Sequence, residues 1–178
     1  MRSALTRRGS ILTILGVVAI GLVVDQVTKW LAIEYLKPGQ RVAVVGDLLE
    51  LSLYRNPGAA FSLVPGLTMV LSILATVVVI AICVFVLPRV RSRICVIATG
   101  LGLAGVTGNL IDRLIREPGP FRGHVIDFLS LKWFAVFNVA DMCLTAAAIM
   151  IVIIVVFLRI DLTGEPTATV EAVRVEAE

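Results

Sequence analysis

The chain has 178 residues, of which 58% are hydrophobic and 16% charged, and its formal net charge is +3. A length of this order is typical of one domain, but about a quarter of the residues in an ordinary soluble domain are charged. The composition therefore argues against a soluble domain, and the small net charge gives no sign of a nucleic-acid partner.

Four uncharged runs follow one another, over residues 9–24, 66–87, 94–111 and 142–158. A helix that rises about 1.5 Å per residue needs about 20 mostly apolar residues to cross a hydrocarbon core of about 30 Å. Helices are favoured as spans because every backbone amide must be satisfied within the lipid. With their polar flanks, the runs predict an all-α membrane protein with four transmembrane helices. They form one membrane domain over residues 1–160, with spans at about 11–33, 66–87, 94–115 and 134–158.

The first predicted helix follows a basic segment that contains Arg7 and Arg8, as the apolar part of a signal peptide would. No clean small-x-small cleavage site follows, and three more spans do, so we expect the helix to be retained. It ends before the helix-breaking residues 37–39. Residues 40–64 then alternate well enough to predict a small extracytoplasmic β-like segment that reaches a turn at 56–58.

Basic residues near the spans predict the orientation. The short loop between the second and third spans contains Arg89, Arg91 and Arg93, and Arg159 follows the fourth span. The outer loops hold as many basic residues, but over much longer segments. The density of positive charge therefore predicts a multi-pass protein with both termini in the cytoplasm. The polar, acidic segment 161–178 is expected to be a disordered cytoplasmic tail.

This orientation places four aspartates at one depth. Asp25 and Asp112 lie at the outer ends of the first and third spans, and Asp141 opens the fourth span at the same face. Asp127 lies between apolar neighbours in what we predict to be the preceding loop. Because ionisable groups in membrane spans are costly, each of these acids is a functional hypothesis.

Each acid also has a structural interpretation. Asp25 and Lys29 form an i,i+4 pair that could close a helix end. Asp112 could pair with the adjacent arginine at the membrane interface, and Asp127 could be an ordinary loop acid. Asp141 is the hardest to explain structurally, because it lies one turn inside an apolar helix with no basic residue nearby in sequence.

The available chemistry is that of paired carboxylates. The single histidine, His124, lies in a loop and the three cysteines lie in spans, so no Ser or Cys nucleophile has a plausible histidine partner. No HExxH motif supplies zinc ligands, and neither a metal nor another cofactor is expected. Two close carboxylates in a dry site cannot both ionise, so one keeps a proton while the other acts as a base. Such a pair can activate a water without a covalent intermediate.

Three other functions fit part of these observations. A small transporter or channel would place polar residues at the bilayer midplane or through the depth of several spans, whereas the second span has no charge. A metal-dependent hydrolase could use His124 with Asp112, Asp127 and Asp141. A non-catalytic assembly protein would give no reason for paired acids.

Five short blocks resemble those of the lipoprotein signal peptidases, also called signal peptidase II. They occur in family order over roughly residues 10–158 and read DQVTK at 25–29, NPGAAF at 56–61, GNLIDR at 108–113, VIDF at 125–128 and FNVAD at 137–141. Each block is weak alone, but the ordered set is specific. The chain departs from the family at 104–107, where a Gly-Ala-aliphatic run is usual, and the outer loop 114–124 is long.

The resemblance implies an activity and a set of site residues. The family removes signal peptides from diacylglyceryl-modified prolipoproteins in the bacterial cytoplasmic (inner) membrane, cleaving before the lipidated cysteine. Asp127 and Asp141 match its catalytic pair. Positions that bind substrate or orient the pair are matched by Asp25, Lys29, Asn56, Gly58, Asn109, Arg113 and Asn138, and structural support is expected from Asp112, Gly108 and Ala140. The implied partners are lipid-modified prolipoproteins and membrane lipids, and we expect a monomer.

Overall fold

A computed structural model of the chain describes residues 4–58 and 67–167. Four long helices dominate it: α1 (Arg7–Tyr35), α2 (Leu67–Ala81, continued by a π-helical segment Ile82–Val86), α3 (Arg93–Ile115) and α4 (Val139–Val152, continued by a π-helical segment Ile153–Leu158). All four are long and apolar enough to cross a membrane, which confirms the predicted architecture of four long apolar helices. The fourth begins at Val139 rather than near residue 134, because Asn138 caps its first turn.

Helix α3 is the centre of the bundle. It packs against α1, α2 and α4 and is the most buried of the four helices. Glycines allow the close approach: a Cβ added at Gly105 would lie 2.5 Å from the Ala140 carbonyl oxygen, and one added at Gly100 would lie 2.8 Å from Val17 Cβ. Small residues of this helix thus let neighbouring backbones approach closely, as is common between membrane helices.

Three antiparallel strands form a small sheet in the order β1 (Arg41–Val45), β2 (Leu49–Asn56) and β3 (Val125–Leu131). Strands β1 and β2 confirm the predicted β-like segment. The prediction that Asp127 lies in a loop is wrong, because β3 pairs with β2 and places Asp127 opposite Tyr54. This pairing joins segments far apart in sequence, so no local pattern reveals it.

The chain after α4 folds back against the loop between α2 and α3. The Asp161 carboxylate accepts hydrogen bonds from the amides of Thr163, Gly164 and Glu165, and the Leu162 carbonyl accepts from the amides of Arg91 and Ser92. Residues 161–167, expected to begin a disordered tail, thus form an ordered turn. The rest of that predicted tail, 168–178, and residues 59–61 of the NPGAAF block lie outside the described residues.

Candidate active site

The two predicted catalytic acids come from different elements that meet at one end of the bundle. Asp127 lies on β3 and is only 1% exposed, whereas Asp141 lies in the first turn of α4 and is half-buried. Strand β3 contacts both α1 and α3, and α4 follows it after a short turn. The folding of β3 onto the helix ends therefore brings Asp127 to the start of α4.

Two asparagine side chains connect the two carboxylates. Asn138 Nδ2 donates to Asp127 Oδ1 at 2.6 Å and to Asn109 Oδ1 at 3.1 Å. Asn109 Nδ2 in turn donates to Asp141 Oδ1 at 2.8 Å. A continuous chain of hydrogen bonds thus runs from Asp127 through Asn138 and Asn109 to Asp141 and fixes the orientation of both acids.

Asn138 also starts helix α4. Its Oδ1 accepts from the Asp141 amide at 3.0 Å, and Asp141 Oδ2 accepts from the Asn138 amide at 3.1 Å, which together form a capping box. The partial positive charge of the helix N-terminus favours a carboxylate at this position. Asp141 therefore uses one oxygen for the helix cap and the other for Asn109.

Asn56 holds the second oxygen of Asp127. Its Nδ2 donates to Asp127 Oδ2 at 2.8 Å, and its own Oδ1 accepts from the Gly58 amide at 2.8 Å. Gly58 has a φ of 124°, a backbone conformation that residues with a side chain rarely adopt. The sequence Asn-Pro-Gly is thus a turn whose residues orient the carboxylate.

Burial raises the pKa of Asp127 to about 6. The hydrogen bonds from Asn56 and Asn138 oppose this shift because they stabilise the carboxylate, while the negative charge of Asp141 adds to it. The Asp127 carboxyl therefore keeps its proton to a higher pH than an exposed aspartate would.

A fully buried lysine contacts Asn109, a member of the hydrogen-bonded chain between the two acids, and pairs with two further carboxylates. Lys29 Nζ lies 2.9 Å from Asp25 Oδ2, 2.8 Å from Asp112 Oδ2 and 3.0 Å from Asn109 Oδ1. A buried ammonium group needs such partners to offset its desolvation. Asp25 also accepts from the Ala140 amide at 2.9 Å through Oδ1 and so ties α1 to the start of α4.

Asp112 has different partners from those expected. The predicted neighbour Arg113 is not its ion-pair partner; Lys29 and Arg116 are, the latter with a 2.6 Å contact from Nε to Oδ1. Asp112 Oδ2 also accepts from the Ile126 amide at 3.2 Å and so anchors the strand that carries Asp127. Sequence reasoning missed Arg116, although its i,i+4 spacing from Asp112 could have identified it.

Arg113 instead lines a cavity of about 330 Å³ beside Asp141. The buried Nε of Arg113 has no hydrogen-bond partner among the described residues. One wall of the cavity is apolar and comes mainly from α2; the lining residues are Leu71, Leu74, Ala75, Val78, Val106, Asn109, Arg113, Asp141 and Leu144. An apolar wall that ends at a carboxylate and a guanidinium suits a peptide segment whose side chains are apolar and whose backbone is polar.

The two small residues expected to give structural support lie where larger ones would not fit. A Cβ added at Gly108 would lie 2.7 Å from Asp25 Oδ2 and 3.1 Å from Ala140 Cβ. Ala140 is buried at 1% exposure beneath the start of α4. Together they allow α1, α3 and α4 to converge below the carboxylates.

The described residues, 4–58 and 67–167, contain no group of three or more His, Cys, Asp or Glu side chains arranged to hold a metal ion. His124 lines a separate cavity with Thr68, Pro118 and Arg122. A larger apolar cavity, of about 460 Å³, lies at the other end of the bundle between the two π-helical segments, away from Asp127 and Asp141.

Comparison with known proteins agrees with this architecture. The sequence model of the signal peptidase (SPase) II family matches residues 17–157. A lipoprotein signal peptidase of Mycolicibacterium smegmatis is 48% identical over 81% of this chain and 61% of its own length, and one of Rhodococcus jostii is 44% identical over 83% of this chain and 73% of its own length. A solved structure described as a bacterial membrane enzyme, obtained by the in meso method at 1.9 Å resolution, has a TM-score of 0.72 at 30% identity and covers 88% of this chain and 98% of that one. The chain therefore belongs to the signal peptidase II family.

Proposed function

We propose that this multi-pass membrane protein is an aspartic endopeptidase that removes signal peptides from diacylglyceryl-modified prolipoproteins by cleaving before the lipidated cysteine. Membership of the family and the name lipoprotein signal peptidase carried by its relatives support the peptidase activity. The observation that carries the aspartic mechanism is the hydrogen-bonded chain that joins Asp127 to Asp141 through Asn138 and Asn109.

In this mechanism the two acids share one proton and activate a water directly. Asp127, whose pKa is raised to about 6, holds the proton, and Asp141 accepts one from the water as its oxygen attacks the scissile carbonyl carbon. Asp127 passes its proton to the carbonyl oxygen, which gives a tetrahedral diol. When the C–N bond breaks, the proton on Asp141 goes to the leaving amine, and a diol hydroxyl returns a proton to Asp127.

The remaining site residues have roles that follow from their contacts. Asn109 and Asn138 orient the two acids. Asn56 holds the second oxygen of Asp127 and is itself oriented by the Gly58 amide. The ion pairs of Lys29 with Asp25 and Asp112 stabilise the helix ends next to the acids. Arg113 borders the cavity beside Asp141 and is placed to donate to a substrate carbonyl group.

The position of the site suits a substrate that is anchored in the membrane. Both carboxylates lie where helix ends meet the sheet, and the adjoining cavity has an apolar wall from α2 that fits the apolar part of a signal peptide.

We further propose that the chain acts as a monomer in the bacterial cytoplasmic membrane, with both termini in the cytoplasm and the site at the outer face. The density of arginines in the loop between α2 and α3 supports this orientation.

The decisive experiment measures cleavage of a lipid-modified precursor by the purified chain in vesicles. Asp127→Asn and Asp141→Asn should each abolish cleavage while the protein remains in the membrane. Asp47→Asn is the matched control, because Asp47 is an 88% exposed acid between β1 and β2 at the same end of the molecule. Near-normal cleavage by the Asp127→Asn or the Asp141→Asn variant would contradict the aspartic mechanism.

The same assay tests two further parts of the proposal. A precursor that lacks the diacylglyceryl group should be cleaved poorly or not at all, and equal cleavage of both forms would contradict the proposed substrate. A strong chelator should leave the rate unchanged. Loss of activity in the chelator, restored by a divalent ion, would instead support the metal-dependent alternative.

A further inference from the structure

Two neighbouring segments beside the candidate site carry four large, exposed apolar side chains. Val45 is the last residue of β1, Leu48 lies in the turn between β1 and β2, and Trp133 and Phe134 belong to the turn between β3 and α4. Their exposed fractions are 56%, 55%, 90% and 67% in that order. The Lys132 amide donates to the Leu48 carbonyl at 3.0 Å and joins the two segments. We refer to these four residues as the hydrophobic tip.

The tip is held in a defined conformation. Trp133 has a φ of 64°, in the left-handed region that costs free energy for an aromatic residue. The Phe134 amide donates to the Leu131 carbonyl at 3.0 Å, and the Phe134 ring packs edge-on against Phe137 with centroids 6.0 Å apart. The positive φ of Trp133 thus costs free energy, yet the turn leaves both aromatic side chains exposed. Such exposure is unfavourable if the two rings face only water.

The charges around the tip suit the border between lipid and water. Lys132 Nζ lies 5.2 Å from the centroid of the Trp133 ring and 3.7 Å from Asp47 Oδ2, and Arg41 pairs with Glu50 at 3.3 Å. Each of these two cations has an acidic partner, so apolar contact rather than net charge dominates the patch. Tryptophan is enriched at membrane interfaces because its ring is apolar and its N–H is polar.

We propose that the hydrophobic tip inserts into the membrane interface on the side of the candidate site, with lipid as its occupant. The turn that carries Trp133 precedes the membrane-spanning helix α4, where the apolar side chain of Met142 is 51% exposed. Trp133 also lies between Asp127 and Asp141 in sequence, on the turn that joins their elements. Its insertion therefore sets the depth of both carboxylates relative to the lipid.

The chain has two tryptophans, which makes the test specific. Trp30→Phe leaves Trp133 as the sole indole and does not alter the tip. Trp133→Phe leaves Trp30, which is 57% exposed on the membrane-spanning helix α1, as a reference for contact with lipid. Each variant is reconstituted in phosphatidylcholine vesicles whose acyl chains carry bromine at a shallow or a deep carbon. Trp133 emission should be lost most with shallow bromine, and iodide present on both sides of the membrane should quench it little.

Two results would overturn the proposal. Quenching of Trp133 by iodide without a response to bromine would place the indole in water. A change in Trp133 emission on addition of the lipidated precursor, again without a response to bromine, would assign the tip to substrate binding. Because fluorescence is measured without cleavage, failure of the proposed peptidase activity would not affect this result.

Discussion

Lys29 and Asp112 form a 2.8 Å ion pair in which both side chains are completely buried. The pair joins α1 to α3, and the same ammonium group also compensates Asp25. Without it, two buried carboxylates would lose their shared cation. Removal of one partner from a buried pair typically costs about 3–5 kcal/mol.

Lys29→Met should therefore lower the free energy of unfolding by about 3–5 kcal/mol. The methionine fills the space but leaves Asp25 without an ion-pair partner among the described residues and Asp112 with Arg116 alone. Thermal unfolding in detergent measures the effect. Lys132→Met is the matched control: its contact with Asp47 is 3.7 Å long and exposed, so the loss should stay under about 1 kcal/mol. Similar losses in the two variants would contradict this account of the buried pair.

Asn109→Ala should reduce kcat for the lipidated precursor while KM changes little. Asn109 acts on Asp141 through a 2.8 Å hydrogen bond, and the loss of a bond to a charged group corresponds to about a 10- to 100-fold lower rate. Thr145→Val is the control, because the Thr145 hydroxyl donates to the backbone oxygen of Asp141 and not to its carboxylate. A rise in KM at unchanged kcat would show that Asn109 binds substrate rather than positions the acid.

The pKa of about 6 for Asp127 predicts how activity depends on pH. The proposed mechanism needs the proton on Asp127, so kcat/KM should fall as pH rises through about 6. The Asn56 amide stabilises the Asp127 carboxylate and thereby lowers the pKa of Asp127. Asn56→Leu removes this donor, so the pKa of Asp127 should rise and the fall in kcat/KM should move to higher pH.

The pH profile of kcat/KM for both proteins in the same vesicles tests this direction. Tyr54→Phe is the control, because Tyr54 pairs with Asp127 across the sheet and the change removes only its hydroxyl. A shift of the Asn56→Leu profile to lower pH would contradict the assigned role of the amide.

Two glycines of α3 differ in how much room the neighbouring helix leaves for a Cβ atom. A Cβ at Gly105 would lie 2.5 Å from the Ala140 carbonyl oxygen, whereas one at Gly102 would lie 3.7 Å from Ala147 Cβ. Gly105→Ala should therefore destabilise the protein by about 1–3 kcal/mol through overpacking, and Gly102→Ala should be neutral or stabilising. Thermal unfolding of the two variants compares them directly, and equal stability would show that the start of α4 can move away from α3.

Local rules predict the spans and part of the site. The uncharged runs identify the four helices, and the i,i+4 spacing of Asp25 and Lys29 gives a pair that the structure contains at 2.9 Å. The same rule favours Arg116 over Arg113 as a partner of Asp112, because adjacent residues on a helix do not face each other.

Other parts depend on contacts between distant segments. The contact between Lys29 and Asp112 joins two helices, and β3 forms only because β2 lies beside it. The bridge between Asn109 and Asn138 likewise requires α3 to meet the start of α4. Periodicity and residue spacing describe one segment at a time, so they do not reveal these pairings.

The capping box at the start of α4 has a consequence for inhibition. Asn138 and Asp141 cap each other, so replacing either would weaken the helix start, by about 0.5–2 kcal/mol for a lost N-cap, in addition to disturbing the acids. A compound that draws its affinity from these two side chains would meet residues that the protein has little freedom to change. Substitutions that lower the affinity of such a compound without weakening the helix start are expected on the apolar wall of the cavity, which includes Leu71 and Val78.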